Sequence, residues 1–423
     1  MERKIINDLN RWKRDSNRKP LLIYGNKQVG KTYTVLEFGE TAYKTTAYFD
    51  CSNNLELFDM FKREKSLDKI ILKLSLMVGE QILKQDTLII FDNVKELELV
   101  KVIKRISKEA IDYHIIMITS DKEKLTSFKG DEFQFKYMFS MDFEEYLKAI
   151  KQDQLIDFIK DSYKNNKAMP FHNIAIDYYE NYLMTGGLPE AILTSLDKSD
   201  TYLNMIHHKV IDTYQKEFLN MPVLIDVTRA IEVFNIVPYQ LLKPNKKFQY
   251  GLITPGSRAK EYENAISFLN INGYLNKAYR VTDVKSPLSK HKDNESFKLY
   301  MNDTGLLFNT LHLNKIRFLS DDRLKYIMYE NAIASNIVAS GYNLYYYQSE
   351  GKAEISFVVQ TRNGKIIPIE LVNKNIAKSK SLALFMNKYQ VEEAIRVTED
   401  NFSFKKGVKY IPIYATFCFK ENL

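Results

Sequence analysis

An α/β fold class is predicted, in which a parallel sheet covered by helices leads into a helical segment, a small helix-and-strand unit and a second α/β domain. Three observations predict it. Short apolar runs alternate with amphipathic stretches over the first 150 residues. Strand-like runs then vanish from about 142 to 235, and they return beyond residue 270.

The first apolar run, Leu21–Tyr24, reads as a buried strand and is followed by Gly25-Asn26-Lys27-Gln28-Val29-Gly30-Lys31-Thr32. Tyr33–Phe38 then opens a helical pattern. The spacing G-x-x-x-x-G-K-T lets successive backbone N–H groups wrap a polyphosphate at a helix N-terminus. Lys31 then reaches the β- and γ-phosphates, and the Thr32 hydroxyl binds Mg²⁺. Nucleoside triphosphate binding is therefore expected, with ATP and Mg²⁺ as ligands. Further strands are predicted at Thr46–Phe49, Thr87–Phe91, Ile115–Thr119 and Phe135–Phe139, with an amphipathic helix over Leu97–Ile106. A loop following the first strand lies at the carboxyl edge of such a sheet, where ligands bind.

The run Thr87–Phe91 ends in Asp92, placed to orient Mg²⁺ and its waters. Many ATPases put a glutamate next, to activate the attacking water. Here Asn93 follows, and an amide is no base at neutral pH. Glu96 and Glu98 stand a turn further on as substitutes. Weak or absent hydrolysis is the expectation. Thr119-Ser120 ends the fourth run at the same edge, either as a polar sensor of the γ-phosphate or as the start of a loop.

Asp142–Leu147 begins the helical segment, which Thr185-Gly186-Gly187-Leu188-Pro189 interrupts as a turn. Ser257–Leu269 has helical periodicity, Asn272-Gly273 ends it, and Tyr274–Val281 reads as a strand, a pattern like a small winged helix. A helix near 322–340 precedes strands at Leu344–Tyr347, Glu354–Val359 and Ile366–Leu371.

At 423 residues the chain exceeds one hydrophobic core. Two distant cysteines, Cys51 and Cys418, give neither a disulfide framework nor zinc spacing, and His207-His208 carries no metal-ligand pattern. No apolar run is long enough to span a bilayer, and Met1-Glu2-Arg3-Lys4 leads into a charged segment, so a soluble cytoplasmic protein is expected. The net charge of +8 is uneven: Gln240–Tyr300 holds eleven Lys/Arg against five Asp/Glu. This is a footprint for DNA or another polyanion, or a solvated lysine-rich face. Lys246, Lys247, Arg258 and Lys260 are the candidate DNA contacts.

With these residues in view, the chain resembles a large family of prokaryotic AAA-like ATPases. In that family a P-loop ATPase domain precedes a winged helix and a PD-(D/E)xK restriction-endonuclease-like domain. The likeness runs through Asn17–Leu22, Lys27–Thr32, Asp142–Tyr146, Gly186–Glu190, Ser257–Tyr262, Phe297–Tyr300, Asp303–Leu307, Tyr329–Asn331 and Ile367–Glu370. It implies an ATPase core at 1–145, a helical lid at 146–235, a winged helix at 236–296 and a nuclease-like domain at 297–423.

A nuclease of that type holds Mg²⁺ through a helix acid, a strand Asp and a Glu on the next strand, with a Lys two residues later. The resemblance places these at Glu330, Ser356, Glu370 and Val372. Serine is a poor Mg²⁺ ligand alone and valine brings no charge, so an inactive nuclease fold is expected. Glu354, on the same face as Ser356, and Lys374 leave a displaced site open. A trans-acting arginine finger is common in related ATPases. Arg105 and Arg229 are candidates, and neither is assigned.

Three functions stay open: a nucleotide-controlled switch, an active ATPase or ATP-dependent nuclease acting on DNA, and an ATP-binding protein-interaction module without nucleic acid. Oligomeric state stays open with them.

Overall fold

The computed structural model describes residues 1–52, 54–94, 97–109, 111–121, 132–197, 200–219, 226–349, 353–372 and 380–419. It divides into two compact units, residues 1–139 and 140–423.

The first unit carries five strands: β1 Leu21–Tyr24, β2 Thr45–Asp50, β3 Thr87–Asp92, β4 His114–Thr119 and β5 Gln134–Tyr137. Every pairing is parallel, in the order β2-β3-β4-β1-β5. Helices α1 Ile5–Arg14, α2 Lys31–Ala42, α3 Leu55–Arg63, α4 Leu67–Val78 and α5 Leu97–Glu109 accompany them. β3 and β4 are buried at every position, as unbroken apolar runs require when both faces of a sheet are covered. One core joins Leu22, Phe49, Ile89, Phe91 and Met117 to Leu57, Ile70, Leu74 and Ile103 of the helices. Because β4 lies between β1 and β3, all three strands deliver their carboxyl ends to one edge. There Tyr24 is registered with Thr119, and Asp50 with Asp92.

The second unit begins with helices α6 Phe143–Ala149, α7 Asp153–Asn165, α8 His172–Thr185, α9 Pro189–Asp197, α10 Asp200–Phe218 and α11 Val227–Leu241. A capping box opens α6: Asp142 accepts from the Glu145 N–H at 3.0 Å, and Glu145 accepts from the Asp142 N–H at 3.2 Å. The division at 145/146 read from sequence therefore falls inside α6, which packs with α7 and α8. The Gly186-Gly187 turn is also a docking point. A β-carbon on Gly186 would lie 2.2 Å from Asp303 Oδ1, and one on Gly187 would lie 2.1 Å from the Met141 carbonyl. Asp303 Oδ2 accepts the Gly187 N–H at 2.8 Å, and its Oδ1 caps the helix that follows.

That unit continues with α12 Ala259–Ile271, β6 Leu275–Val281, β7 Lys292–Met301, α13 Thr304–Thr310, α14 Lys315–Ser320 and α15 Asp322–Ala339. Then come β8 Tyr345–Gln348, β9 Glu354–Gln360, β10 Ile366–Leu371, α16 Ser381–Tyr389, β11 Ala394–Thr398, β12 Ser403–Lys405 and β13 Val408–Pro412. These strands form one mixed sheet, β12-β13-β11-β10-β9-β8-β6-β7, with β12 and β7 outermost. The division at 296/297 thus runs through β7. The strand β6, given by sequence to a winged helix, pairs with β7 and continues the C-terminal sheet because it also pairs in parallel with β8. The strands β11 to β13 have no counterpart in the sequence reading. None of the helices among the described residues is long and apolar enough to cross a membrane.

Candidate nucleotide site and the carboxylate cluster

The loop between β1 and α2 is shaped by its glycines. Gly25 passes so close to Met138 that a β-carbon would lie 2.2 Å from its carbonyl oxygen, and Gly30, with φ +92°, caps α2 in the left-handed region. Lys31 Nζ donates to the carbonyls of Gly25 and Asn26, each at 2.7 Å. Asn26 Oδ1 accepts the Tyr137 hydroxyl at 2.6 Å. Arg3, buried, donates to the Val29 carbonyl at 2.6 Å and the Phe139 carbonyl at 2.8 Å, bracing the loop from behind. Sequence reading took Arg3 only as part of a charged leading segment.

Thr32 Oγ1 donates to Asp92 Oδ2 at 2.6 Å, so the two expected Mg²⁺ donors already meet. Tyr48 adds a second bond to the same oxygen at 3.1 Å, and burial beside Asp92 pushes its phenol pKa up. Asp92 Oδ1 accepts the Asn93 N–H at 2.7 Å. Asn93 has φ +57°, a conformation that asparagine tolerates, and its Nδ2 donates to Asp50 Oδ1 at 3.0 Å. That bond holds the Asp50 carboxyl below its ordinary pKa. Thr119 accepts the Asp121 N–H at 3.2 Å at the end of β4. Glu96 and the side chain of Glu98 lie outside the described residues.

These residues fit a magnesium nucleotide. The glycine cradle admits backbone close to phosphate, a lysine heads the helix, and a hydroxyl and a carboxylate sit as a preformed oxygen pair. Tyr48, Asp50 and Tyr137 were missed because only strand pairing and register reveal them.

In the second unit, Glu330, Glu354, Ser356 and Glu370 are brought together. All four act on the buried Tyr326 hydroxyl, whose pKa is raised first by burial and then by the carboxylates, while a hydrogen bond with Ser356 opposes the rise. The cluster does not fit a divalent metal, because cations of the protein already stand on its carboxylates. Glu330 is 2% exposed, pairs with Lys246, lies 3.5 Å from Lys298 and accepts the Tyr300 hydroxyl at 2.8 Å. Burial alone would raise its pKa; Lys246 and Lys298 outweigh that and hold it well below the usual carboxylate range, at about 2. Lys298 also meets Glu354 at 2.5 Å, and Arg396 grips Glu370 Oε2 with two nitrogens at 2.6 and 2.8 Å.

Ser356 Oγ accepts the Leu371 N–H at 3.1 Å, and the Val372 N–H joins the Val397 carbonyl at 3.0 Å. Both positions thus serve the sheet. Lys374 lies outside the described residues. No group of three or more His, Cys, Asp or Glu among the described residues is arranged to hold a metal.

One candidate DNA contact needs correction. Lys246 is largely buried, paired with Glu330 and set over the Tyr326 ring, so its charge is used internally. Lys247 is half-buried, whereas Arg258 and Lys260 are exposed. Arg105 donates to the Glu64 carbonyl at 3.4 Å, and Arg229 is held by Glu232 and Tyr262.

A strand, a glycine-rich loop with its lysine at a helix N-terminus, and a carboxylate on a second parallel strand define a P-loop nucleotide-binding domain. Residues 17–147 match the model of an AAA domain, and the first unit is accordingly an AAA-like P-loop ATPase fold. Two further models match, each a domain of unknown function: DUF8612 over residues 176–317 and DUF4143 over 327–416. No curated protein matches the chain.

Among solved structures, the Walker-type ATPase of Pyrococcus abyssi shares 13% identity over 72% of this chain and 94% of its own, with a TM-score of 0.39. The signal transduction ATPase with a tetratricopeptide repeat sensor from Pyrococcus horikoshii shares 13% over 80% of this chain and 45% of its own, at 0.30. The Orc1 protein of Aeropyrum pernix, solved in complex with DNA, shares 11% over 73% of this chain and 90% of its own, at 0.27.

Proposed function

We propose that this protein is a nucleotide-controlled switch: it binds ATP with Mg²⁺ through Gly25–Thr32 and Asp92, hydrolyses it slowly, and uses the bound state to set the conformation of its C-terminal unit. The observation that carries this reading is Asn93. Loop, lysine, hydroxyl and Mg²⁺ carboxylate are assembled, while the position next to Asp92 holds an amide turned toward Asp50. Binding machinery is retained, and the usual adjacent base is missing.

The output is DNA contact by the winged-helix-like and nuclease-like parts of residues 236–423, without cleavage. The local excess of basic residues and the exposure of Arg258 and Lys260 support this. The pairing of Glu330, Glu354 and Glu370 with lysine and arginine supports the absence of nuclease chemistry. A switch requires ATP to bind two conformations with different affinity.

The test is a paired assay on the full chain: fluorescent-nucleotide titration and phosphate release, each with and without duplex DNA. Tight Mg²⁺-dependent binding, turnover far slower than that of a competent ATPase, and a nucleotide-dependent DNA affinity that falls steeply with salt are the expected results. Fast turnover abolished by Lys31→Ala would sink the switch. An absence of DNA binding at low salt would leave the nucleotide part standing and point to a protein partner instead.

A further inference from the structure

We infer that Asp50 supplies the base for the slow hydrolysis and that Asn93 is its positioning residue; the inference rests on the nucleotide-binding reading above.

The register of β2 on β3 places Asp50 directly beside Asp92, and paired strands run only about 5 Å apart. Side chains two residues apart on a strand share a face. Tyr48, two residues before Asp50, reaches Asp92 from that face at 3.1 Å, so Asp50 projects on the side of β2 that serves the Mg²⁺ carboxylate. Two bonds orient Asp50 through Oδ1: the Asn93 amide at 3.0 Å and the Ser52 N–H at 3.0 Å. Asp50 is otherwise exposed to solvent at the carboxyl edge of the sheet. The arrangement exchanges two roles between neighbouring strands. The carboxylate moves to the end of β2, and the amide that steers it takes the position after Asp92.

In the reaction this implies, a water oxygen bonds to the γ-phosphorus. The bond from that phosphorus to the β,γ-bridging oxygen breaks, and its electron pair leaves with ADP. The water proton passes to the Asp50 carboxylate and then to solvent, giving ADP and inorganic phosphate. Asp121, just past the end of β4 at the same edge, is a second carboxylate and serves as the control.

The experiment uses the full chain with Mg²⁺ and ATP, measuring single-turnover phosphate release alongside nucleotide affinity for wild type, Asp50→Asn, Asp121→Asn and Asp50→Asn/Asn93→Glu. Asp50→Asn is expected to slow release by about a hundredfold with affinity nearly unchanged, the usual scale for losing a general base. Asp121→Asn should leave both readouts alone, and the double variant should recover turnover by restoring a carboxylate at this edge. Independently of activity, the Asn93 side-chain amide resonances of the nucleotide-free protein should move as Asp50 titrates and stay fixed in Asp50→Asn.

Release in Asp50→Asn equal to wild type overturns the proposal. So does wild-type release no faster than that of Lys31→Ala while ATP still binds, an outcome that spares the binding switch. Failure of wild type to bind ATP removes both.

Discussion

At the phosphate loop, Lys31 rests on two backbone carbonyls and Thr32 on the Asp92 carboxylate, bonds that a phosphate and a metal ion can replace one for one. At the carboxylate cluster, Glu330, Glu354 and Glu370 rest on Lys246, Lys298 and Arg396, so an incoming metal would have to expel buried cations. Both places collect acidic and polar side chains around helix and strand ends. The first holds its lysine against backbone carbonyls and its hydroxyls against one carboxylate, bonds that a ligand can take over. The second has closed its charges on itself. A site's ligand is therefore read from what its polar groups would have to give up, as much as from which residues are present.

The largest effect that tests this contrast is Lys298→Met. It removes a buried cation from buried Glu330, which keeps only Lys246, and from the more exposed Glu354, and urea unfolding should show a loss of about 3 kcal/mol. Restoring neutrality with Glu330→Gln in the same chain should recover part of it, and a purely additive double variant would deny that the two charges interact.

Acid should reveal the same cluster. The folded pKa of Glu330 is about 2, below its unfolded value, so its stabilisation is present above about pH 4.5 and disappears as pH falls toward 2. The contribution is on the order of 3 kcal/mol, and the slope of stability against pH over that window should flatten in Glu330→Gln.

At the phosphate loop, Lys31→Ala should weaken ATP binding about a hundredfold while leaving the melting temperature of the nucleotide-free protein nearly unchanged, because two bonds that the lysine gives up are to carbonyls that water can serve. A large loss of apo stability would mean the loop is built around the lysine. The smallest effect is the most discriminating. Mg²⁺ or EDTA, without nucleotide, should not shift the unfolding of the C-terminal unit, and a shift would reopen the cluster as a metal site.

Much of this could be read in the sequence. Unbroken apolar runs such as Leu88–Phe91 and Ile115–Ile118 have one reading in a covered parallel sheet, and β1, β3 and β4 lie within a residue of the predicted bounds. The loop was legible because its chemistry is local, each residue acting through a neighbour a few positions away. Asp50 and Tyr48 were hidden because they act across a strand pairing, and Arg3 because it reaches the loop from 26 residues upstream. Ser356 and Val372 stood out in the sequence as departures from a metal-binding pattern, whereas the cations on the carboxylates did not, since Lys246, Lys298 and Arg396 come from separate stretches of the chain. The winged-helix reading of 236–296 did not foresee this sheet for the same reason: Tyr274–Val281 was correctly a strand, but its second partner, β8, lies 64 residues further on.

Among the described residues β12 and β7 border that eight-stranded sheet, and open edges recruit other chains. The exposed start of β7 reads Lys292-Asp293-Asn294-Glu295, and β12 is three residues long and runs into Lys405-Lys406. Charge at one border and brevity with charge at the other make each a poor template for further strand addition. Replacing Lys292 and Glu295 with valine would therefore be felt first as a loss of solubility, with the fold itself intact.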